Sequence, residues 1–247
     1  MLLELDCGNT LIKWRLIDSG GRVRDRDMSP DLVDLQCLLG AQERDIHACR
    51  LVSVRSEDET RRLLDQLASW LHIKPVLAGS ARVLAGVSNG YKDYRQLGMD
   101  RWLALVAAYN KTGMATLVMD LGTAITVDYV RSCGQHLGGF IAPGRRLLRS
   151  SLKQHTRLIR YSDLDARVNL ETPGGSTGEA VEHGCDLMVL GFVNAQILNA
   201  RKILGEQAVV VLTGGDAPLI ASMLDKQVVL APDLVFDGLA LACPVGR

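Results

Sequence analysis

Two short segments end an apolar run on an aspartate and pass at once into a glycine turn: Leu3-Glu4-Leu5-Asp6-Cys7-Gly8-Asn9-Thr10 and Val118-Met119-Asp120-Leu121-Gly122-Thr123-Ala124. Turns of this kind present backbone N–H groups beside hydroxyls, a concave donor set suited to phosphate oxygens. The aspartate closing each strand is placed to bind a cation or its water shell. Lys13, two residues past Leu11, is placed to neutralise further charge at the first turn. Taken singly, Asp6 and Asp120 also fit carboxylates that merely end strands and cap turns. A third candidate is Gly98-Met99-Asp100-Arg101, at the start of a predicted helix. A carboxylate there gains a few tenths to about 1 kcal/mol from the helix dipole, which alone would account for it. Tyr91-Lys92-Asp93-Tyr94 shortly before and Arg101 immediately after make the segment a candidate pocket for a small hydroxylated acid. The fourth is Thr213-Gly214-Gly215-Asp216, after an apolar strand and before a helix. Its glycines let a flat ring lie against the backbone, and the helix N-terminus supplies free N–H donors.

Other chemistries find little support. The chain has no Gly-x-x-x-x-Gly-Lys-[Ser/Thr] and no Gly-x-Gly-x-x-Gly after a strand, which argues against a P-loop and against a Rossmann dinucleotide site. Its five histidines are dispersed, and none is assigned to catalysis. The six cysteines occur singly, without Cys-x-x-Cys spacing, and read as reduced, mostly buried thiols rather than a metal or redox centre. The basic run Arg145, Arg146, Arg149, Lys153, Arg157, Arg160 reads as a solvated or dimer-edge helix face.

The elements that must position these residues follow from local patterns. Leu2 to Leu5 and Leu11 to Ile17, separated by Cys7-Gly8-Asn9, have the grammar of a hairpin. Cys49 to Val54 reads as a buried strand. Ser56-Glu57-Asp58-Glu59 has the capping-box form and precedes Leu63, Leu64, Leu67, Trp70 and Leu71 at helical spacing, so a helix is expected from about Glu57 to His72. Another begins near Met99 and stops at Lys111-Thr112-Gly113. Strands are expected over Ala115–Met119, Ala124–Val130, Val209–Leu212 and Val228–Leu230. Helices are expected from about Ser176 to Leu204, over Ala217–Leu224 and over Leu234–Ala242. A shift of 114 positions lays the Asp6 segment over the Asp120 segment, so both half-chains open alike. The expectation is an α/β chain of two lobes, 1–113 and 114–247, each built around one of these hairpins.

Composition bounds the partners. With 28 Lys plus Arg against 28 Asp plus Glu, no long-range field attracts nucleic acid or anionic lipid. A 47% hydrophobic content excludes disorder, and only 4% aromatic residues leave Leu, Val, Ile and Ala to build the core. No uninterrupted run of ~18 apolar residues is present, and the acidic start Met1-Leu2-Leu3-Glu4 does not fit a signal peptide. A cytoplasmic protein without nucleic-acid or membrane partners is therefore expected.

Taken together, Asp6-Cys7-Gly8-Asn9-Thr10 with Lys13, Gly98-Met99-Asp100-Arg101, Asp120-Leu121-Gly122-Thr123-Ala124, Gly138-Gly139-Phe140-Ile141-Ala142-Pro143-Gly144, Gly175-Ser176-Thr177 and Thr213-Gly214-Gly215 resemble the type III pantothenate kinases, with Pro232 to Leu239 extending the likeness toward the C-terminus. The resemblance implies the duplicated, two-lobed actin-like (ribonuclease H-like) ATPase fold. It implies ATP-dependent phosphorylation of pantothenate at its primary hydroxyl, the first step of coenzyme A synthesis. Asp6 would hold Mg²⁺ through water, and Gly8, Asn9, Thr10, Lys13, Gly122 and Thr123 would cradle the phosphates. Asp120 would bind a monovalent cation, potassium or ammonium. Asp100 would be the base, with Tyr91, Gly98, Met99, Arg101 and Thr177 around the rest of pantothenate, and Gly214 and Gly215 beside the adenosine. Thr177 would come from the second chain of a homodimer with shared active sites. Two segments depart from the family pattern: Ser53-Val54-Arg55-Ser56 stands for Ser-Val-Val-Pro, and Gly174-Gly175-Ser176-Thr177 for Gly-Lys-Asn-Thr. Two alternatives stay open: a kinase of this fold for another small hydroxy acid or sugar, and a nucleotide-binding transcriptional accessory factor.

Overall fold

The strand Leu2–Cys7 (β1) is buried along almost its whole length because it is covered on both faces. Its alternation sends Leu3 and Leu5 one way and Glu4 the other. It returns as Ile12–Ile17 (β2), antiparallel, and Val23–Ser29 (β3) pairs outside that. After the helix Leu32–Leu39 (α1), Ala48–Ser53 (β4) lies parallel on the other side of β1. The helix Glu57–Leu71 (α2) opens on the expected box: Ser56 Oγ accepts from the Glu59 N–H, and the Glu59 carboxylate accepts from the Ser56 N–H. Val76–Leu77 (β5) closes a sheet of order β3-β2-β1-β4-β5. Leu3, Leu5, Trp14 and Leu16 pack there with Leu35, Leu39, Leu63 and Leu67 of α1 and α2. A small hairpin, Val83–Leu84 (β6) with Val87–Ser88 (β7), precedes the helix Met99–Thr112 (α3).

The second sheet repeats the plan. Thr116–Leu121 (β8), Ala124–Val130 (β9) and His136–Pro143 (β10) form an antiparallel meander, followed by the helices Arg145–His155 (α4) and Thr177–Leu204 (α5). Val209–Thr213 (β11), Ala217–Ser222 (α6) and Val229–Leu230 (β12) complete a sheet of order β10-β9-β8-β11-β12. Both sheets therefore share one topology: three antiparallel strands, then two added in parallel beside the first. Asp6 pairs with Lys13 and Asp120 with Thr126, so the two motifs stand at equivalent registers. On one face of the second sheet, Leu117, Met119, Val127 and Tyr129 pack with Val189, Val193 and Ile197 of α5.

The chain described here is a computed structural model covering residues 1–155, 172–225 and 227–245. It divides into two compact units, Met1–Asn110 with Asp233–Arg247, and Lys111–Pro232. The closing helix Leu234–Ala242 (α7) belongs to the first unit, where the sequence reading had assigned it to the second lobe. What holds it there is distant in sequence: Leu234, Val235, Phe236 and Leu239 are buried, Gly238 lies against the backbone of Leu103 in α3, and a buried charge cluster reaches the helix. Glu4 is fully buried between its cross-strand partners Arg15 and Arg50, with which it forms ion pairs. Arg50 Nη1 then donates to the Cys243 carbonyl at 2.7 Å, and Arg15 Nη1 reaches Asp233 at 3.3 Å and Asp237 at 3.7 Å. The two arginines thus carry the charge of Glu4 out to α7, and the guanidinium of Arg15 lies 4.8 Å from the Phe236 ring centre.

Helix α5 bears on the expectation, drawn from the lack of a long uninterrupted apolar run, that the chain has no membrane partner. The helix holds an 18-residue window of mean hydropathy 1.2, long and apolar enough by length and composition to cross a membrane. Within its unit one side of the helix packs on the sheet through Val189, Val193 and Ile197 while Leu187, Met188 and Leu198 stay exposed, and its buried acids Glu182 and Asp186 pair with Arg149 and Arg145 of α4. This also corrects the reading of the basic run. Arg145 and Arg149 do not form a solvated face; they are drawn onto α5 by two acids that helical spacing places on one side. Arg157 and Arg160 lie outside the described residues.

Candidate active site

In the first unit the turn after β1 is tight because the Gly8 N–H donates to the Leu11 carbonyl at 3.0 Å. That amide is spent within the turn. Gly8 shapes the loop, and the N–H groups of Asn9 and Thr10 are the ones that make no hydrogen bond among the described residues. Asp6 ends the strand with its side chain 12% exposed, and Lys13 Nζ stands 3.9 Å from its Oδ2. The neighbouring Cys7 thiol is pushed well above its ordinary range, first by burial and then by the charge of Asp6.

The second unit assembles its turn in the same way. The Gly122 N–H donates to the Ala124 carbonyl at 3.2 Å, and Thr123 keeps a free N–H among the described residues. Two of the glycine motifs singled out by sequence close on this turn. The Gly144 N–H donates to the Thr123 carbonyl at 3.0 Å, so the segment ending β10 holds the turn from one side. From the other side, Gly214 lies with φ +92° against Asp120 and Leu121. The Asp216 N–H donates to the Leu121 carbonyl at 2.9 Å and ties the 213–216 segment to the same turn. Sequence reasoning missed the residue that locks this corner. Arg145, first in α4, pairs with the fully buried Asp186 and sets Nη1 3.3 Å from Asp216 Oδ1. Its guanidinium is held charged by those two acids despite burial. The signal was present as the acids at 182 and 186, one turn apart, but their partner lies about forty residues upstream.

The third constellation is again in the first unit. The Gly98 carbonyl accepts from the Trp102 N–H at 2.9 Å and opens α3, which puts Asp100 in its first turn. Asp100 Oδ1 accepts the Arg101 N–H at 2.8 Å. A Cβ at Gly98 would come within 2.8 Å of that oxygen, so only glycine leaves the carboxylate its place. Arg101 is 7% exposed, donates to the Tyr91 hydroxyl at 3.0 Å and lies 5.7 Å from the centre of that ring. Met99 Sδ accepts from Ser80 Oγ at 3.4 Å. The loop before α3 is stitched by Asn89, which accepts the Tyr91 N–H at 3.0 Å and donates to the Tyr94 carbonyl. Of the residues grouped here by sequence, the structure brings Arg101 onto Tyr91 and Asp100 beside Gly98 and the Arg101 N–H, while the side chain of Met99 meets Ser80.

Thr177 is exposed as the first residue of α5, behind Ser176, whose Oγ accepts from the Glu179 N–H. It belongs to the second unit and Asp100 to the first. Among the described residues no group of three or more His, Cys, Asp or Glu is arranged to hold a metal ion.

A family model for type III pantothenate kinase matches residues 2–199. A type III pantothenate kinase from Pseudomonas aeruginosa is 51% identical over 248 residues, covering 99% of this chain and 100% of that protein. Among solved structures, a candidate Baf family transcriptional activator from Campylobacter jejuni aligns with TM-score 0.58 at 19% identity, over 96% of this chain and 94% of that one. A candidate 2-dehydro-3-deoxygalactonokinase from Sinorhizobium meliloti aligns with TM-score 0.57 at 13% identity, over 98% of both chains. At such identities these two speak for the fold alone, the duplicated actin-like architecture that the family resemblance implies and with which the paired hairpins agree.

Proposed function

The chain belongs to the type III pantothenate kinase family, and from that premise we propose that it transfers the γ-phosphoryl group of ATP to the primary hydroxyl of pantothenate, the opening reaction of coenzyme A synthesis. In this step the hydroxyl oxygen bonds to the γ-phosphorus, the bond from that phosphorus to the β–γ bridging oxygen breaks, and ADP leaves. The hydroxyl proton passes to Asp100. The observation that carries this assignment is the geometry at the start of α3, where Asp100 sits beside the Tyr91–Arg101 pair. Arg101 is buried, positively charged and held by the Tyr91 hydroxyl, which suits it to the carboxylate of a small acid. Gly98 and Met99 adjoin Asp100 in sequence and would lie beside the same substrate.

Phosphoryl transfer rests on positioning and charge neutralisation. In the first unit the free N–H groups of Asn9 and Thr10 and the ammonium of Lys13 suit phosphate oxygens, and in the second unit the free N–H of Thr123 does, with Gly8 and Gly122 holding their turns in shape. Gly214 and Gly215 border the adenosine. Asp6, a largely buried carboxylate at the first turn, fits magnesium, which is commonly carried by one or two carboxylates together with substrate phosphates. Asp6 would hold that ion through water, and the ion would neutralise charge on the β- and γ-phosphates. Asp120, half-buried at the equivalent register, suits a potassium or ammonium ion.

The active unit in this reading is a cytoplasmic homodimer. Val189 and Val193 of α5 are buried in their own unit, but Leu187 and Met188 remain 50% and 62% exposed, an apolar face for a second copy. A twofold interface along α5 would carry Thr177 to the Asp100 pocket of the partner. Purified protein with ATP, Mg²⁺, potassium and pantothenate tests the function. Formation of 4′-phosphopantothenate without any added protein supports it; phosphate transfer to a different hydroxy acid or sugar, or none, opposes it.

A further inference from the structure

Arg55 stands in the loop that follows β4. β1 and β4 run parallel with Cys7 beside Ser53, so both strands deliver their following loops to the same edge of the sheet. The Val54 N–H donates to the Cys7 carbonyl at 3.2 Å, which continues the pairing one step past the strands. Arg55 follows, and its Nε donates to the Gly8 carbonyl at 2.9 Å. Its backbone is held in turn: the Arg55 N–H donates to Ser53 Oγ at 3.3 Å, and that hydroxyl lies 2.8 Å from Thr60 Oγ1.

The guanidinium is half-buried and forms no ion pair among the described residues. Its charge reaches Glu59, but that carboxylate is engaged by the Ser56 hydroxyl and N–H in the cap of α2. Arginine has five donors in a planar fork. One is spent on Gly8, and the terminal nitrogens are unspent, next to a turn whose Asn9 and Thr10 amides are also unspent. A cation with free donors beside free amides at the carboxyl edge of parallel strands is the arrangement that receives phosphate.

We infer that Arg55 is a further catalytic residue of this site, contacting the polyphosphate of the nucleotide while its Nε holds the phosphate turn in shape. The inference rests on the reading of Gly8 to Thr10 as the nucleotide's phosphate turn. It assigns Arg55 to phosphate and not to the carboxylate of pantothenate, for which Arg101 is the cation.

The test compares wild type, Arg55→Gln and Arg55→Lys by calorimetric titration with Mg-ADP and with adenosine, by thermal midpoint, and by steady-state kinetics. For Arg55→Gln, ADP affinity is expected to fall tenfold or more while adenosine affinity stays within twofold. The kcat/KM for ATP is expected to drop by roughly 10²–10³, the range for losing one preorganised donor, with the KM for pantothenate within twofold. Arg55→Lys keeps the charge, loses the planar fork, and should recover part of the loss. Unchanged ADP affinity overturns the inference. So does equal weakening of ADP and adenosine, or a rise confined to the KM for pantothenate. Where Arg55→Gln lowers the thermal midpoint, Arg55→Lys decides by the same ADP-to-adenosine ratio. A wild type that binds ADP but does not phosphorylate pantothenate would refute the proposed substrate, and the two titrations would still decide the role of Arg55.

Discussion

Gly214 lies so close to Asp120 that a Cβ built on it would fall 2.4 Å from the carboxylate oxygen Oδ1 and 2.6 Å from the backbone of Leu121. The loop after β11 and the turn after β8 are therefore packed backbone on backbone, at the place where a nucleotide's phosphate and adenosine ends would have to be held in fixed relation. Gly214→Ala meets both this clash and a φ of +92°. A destabilisation of about 2–4 kcal/mol is expected, with ATP affinity falling more than pantothenate affinity. Denaturant unfolding with both ligand titrations checks it; a variant with wild-type stability and ATP binding would contradict the packing argument.

The Glu4 cluster gives a stability prediction separate from catalysis. Glu4→Gln leaves Arg15 and Arg50 in the interior without their shared counter-charge. Breaking a buried pair in this way costs about 3–5 kcal/mol. Because Arg50 also carries the Cys243 carbonyl, faster hydrogen exchange in α7 should accompany the loss. A change below 1 kcal/mol in urea unfolding would count against it.

Much of this was legible locally. The capping box at Ser56, the stop at Gly113 and the two Asp-Gly hairpins each depend on neighbours within a few positions, so residue type and spacing reveal them. Chemistry beside α3 was legible for the same reason, since Tyr91 and Arg101 are ten residues apart. What escaped depends on distant partners. β3 reads Val-Arg-Asp-Arg-Asp-Met-Ser, polar because it lies at the sheet edge, and lacks the apolar alternation that marks a strand. The place of α7 is set in part by residues 4, 15 and 50, and the inward turn of Arg145 by Asp186, separations at which no local periodicity operates. Spent and unspent amides within one turn, Gly8 against Asn9 and Thr10, are likewise invisible until the backbone is traced.

Potassium or ammonium should be required, with sodium unable to replace it. Asp120→Ala should remove that dependence together with activity, because Asp120 is the second acidic position at the equivalent register to Asp6. Initial rates across the three chloride salts provide the check, and a full wild-type rate in sodium alone would end this assignment.

Shared sites predict complementation. Asp100→Asn chains and Thr177→Ala chains, each inactive, should regain activity on mixing, since one pocket of a mixed dimer is intact. Sedimentation should give a dimer whose association weakens in Met188→Asp, a charge placed on the exposed face of α5. A monomer at assay concentration, or no recovered activity after confirmed exchange, is incompatible with this arrangement.

The most direct measurement is the steady-state comparison of wild type with Asp100→Asn, using ATP and pantothenate. The substitution keeps the shape of the residue and removes its basicity. The account predicts that kcat falls by roughly 10²–10⁴, the range for loss of a general base, with the thermal midpoint unchanged and pantothenate binding retained by calorimetry. A variant that keeps its kcat and loses only KM for pantothenate would make Asp100 a binding residue and contradict the assignment of the base.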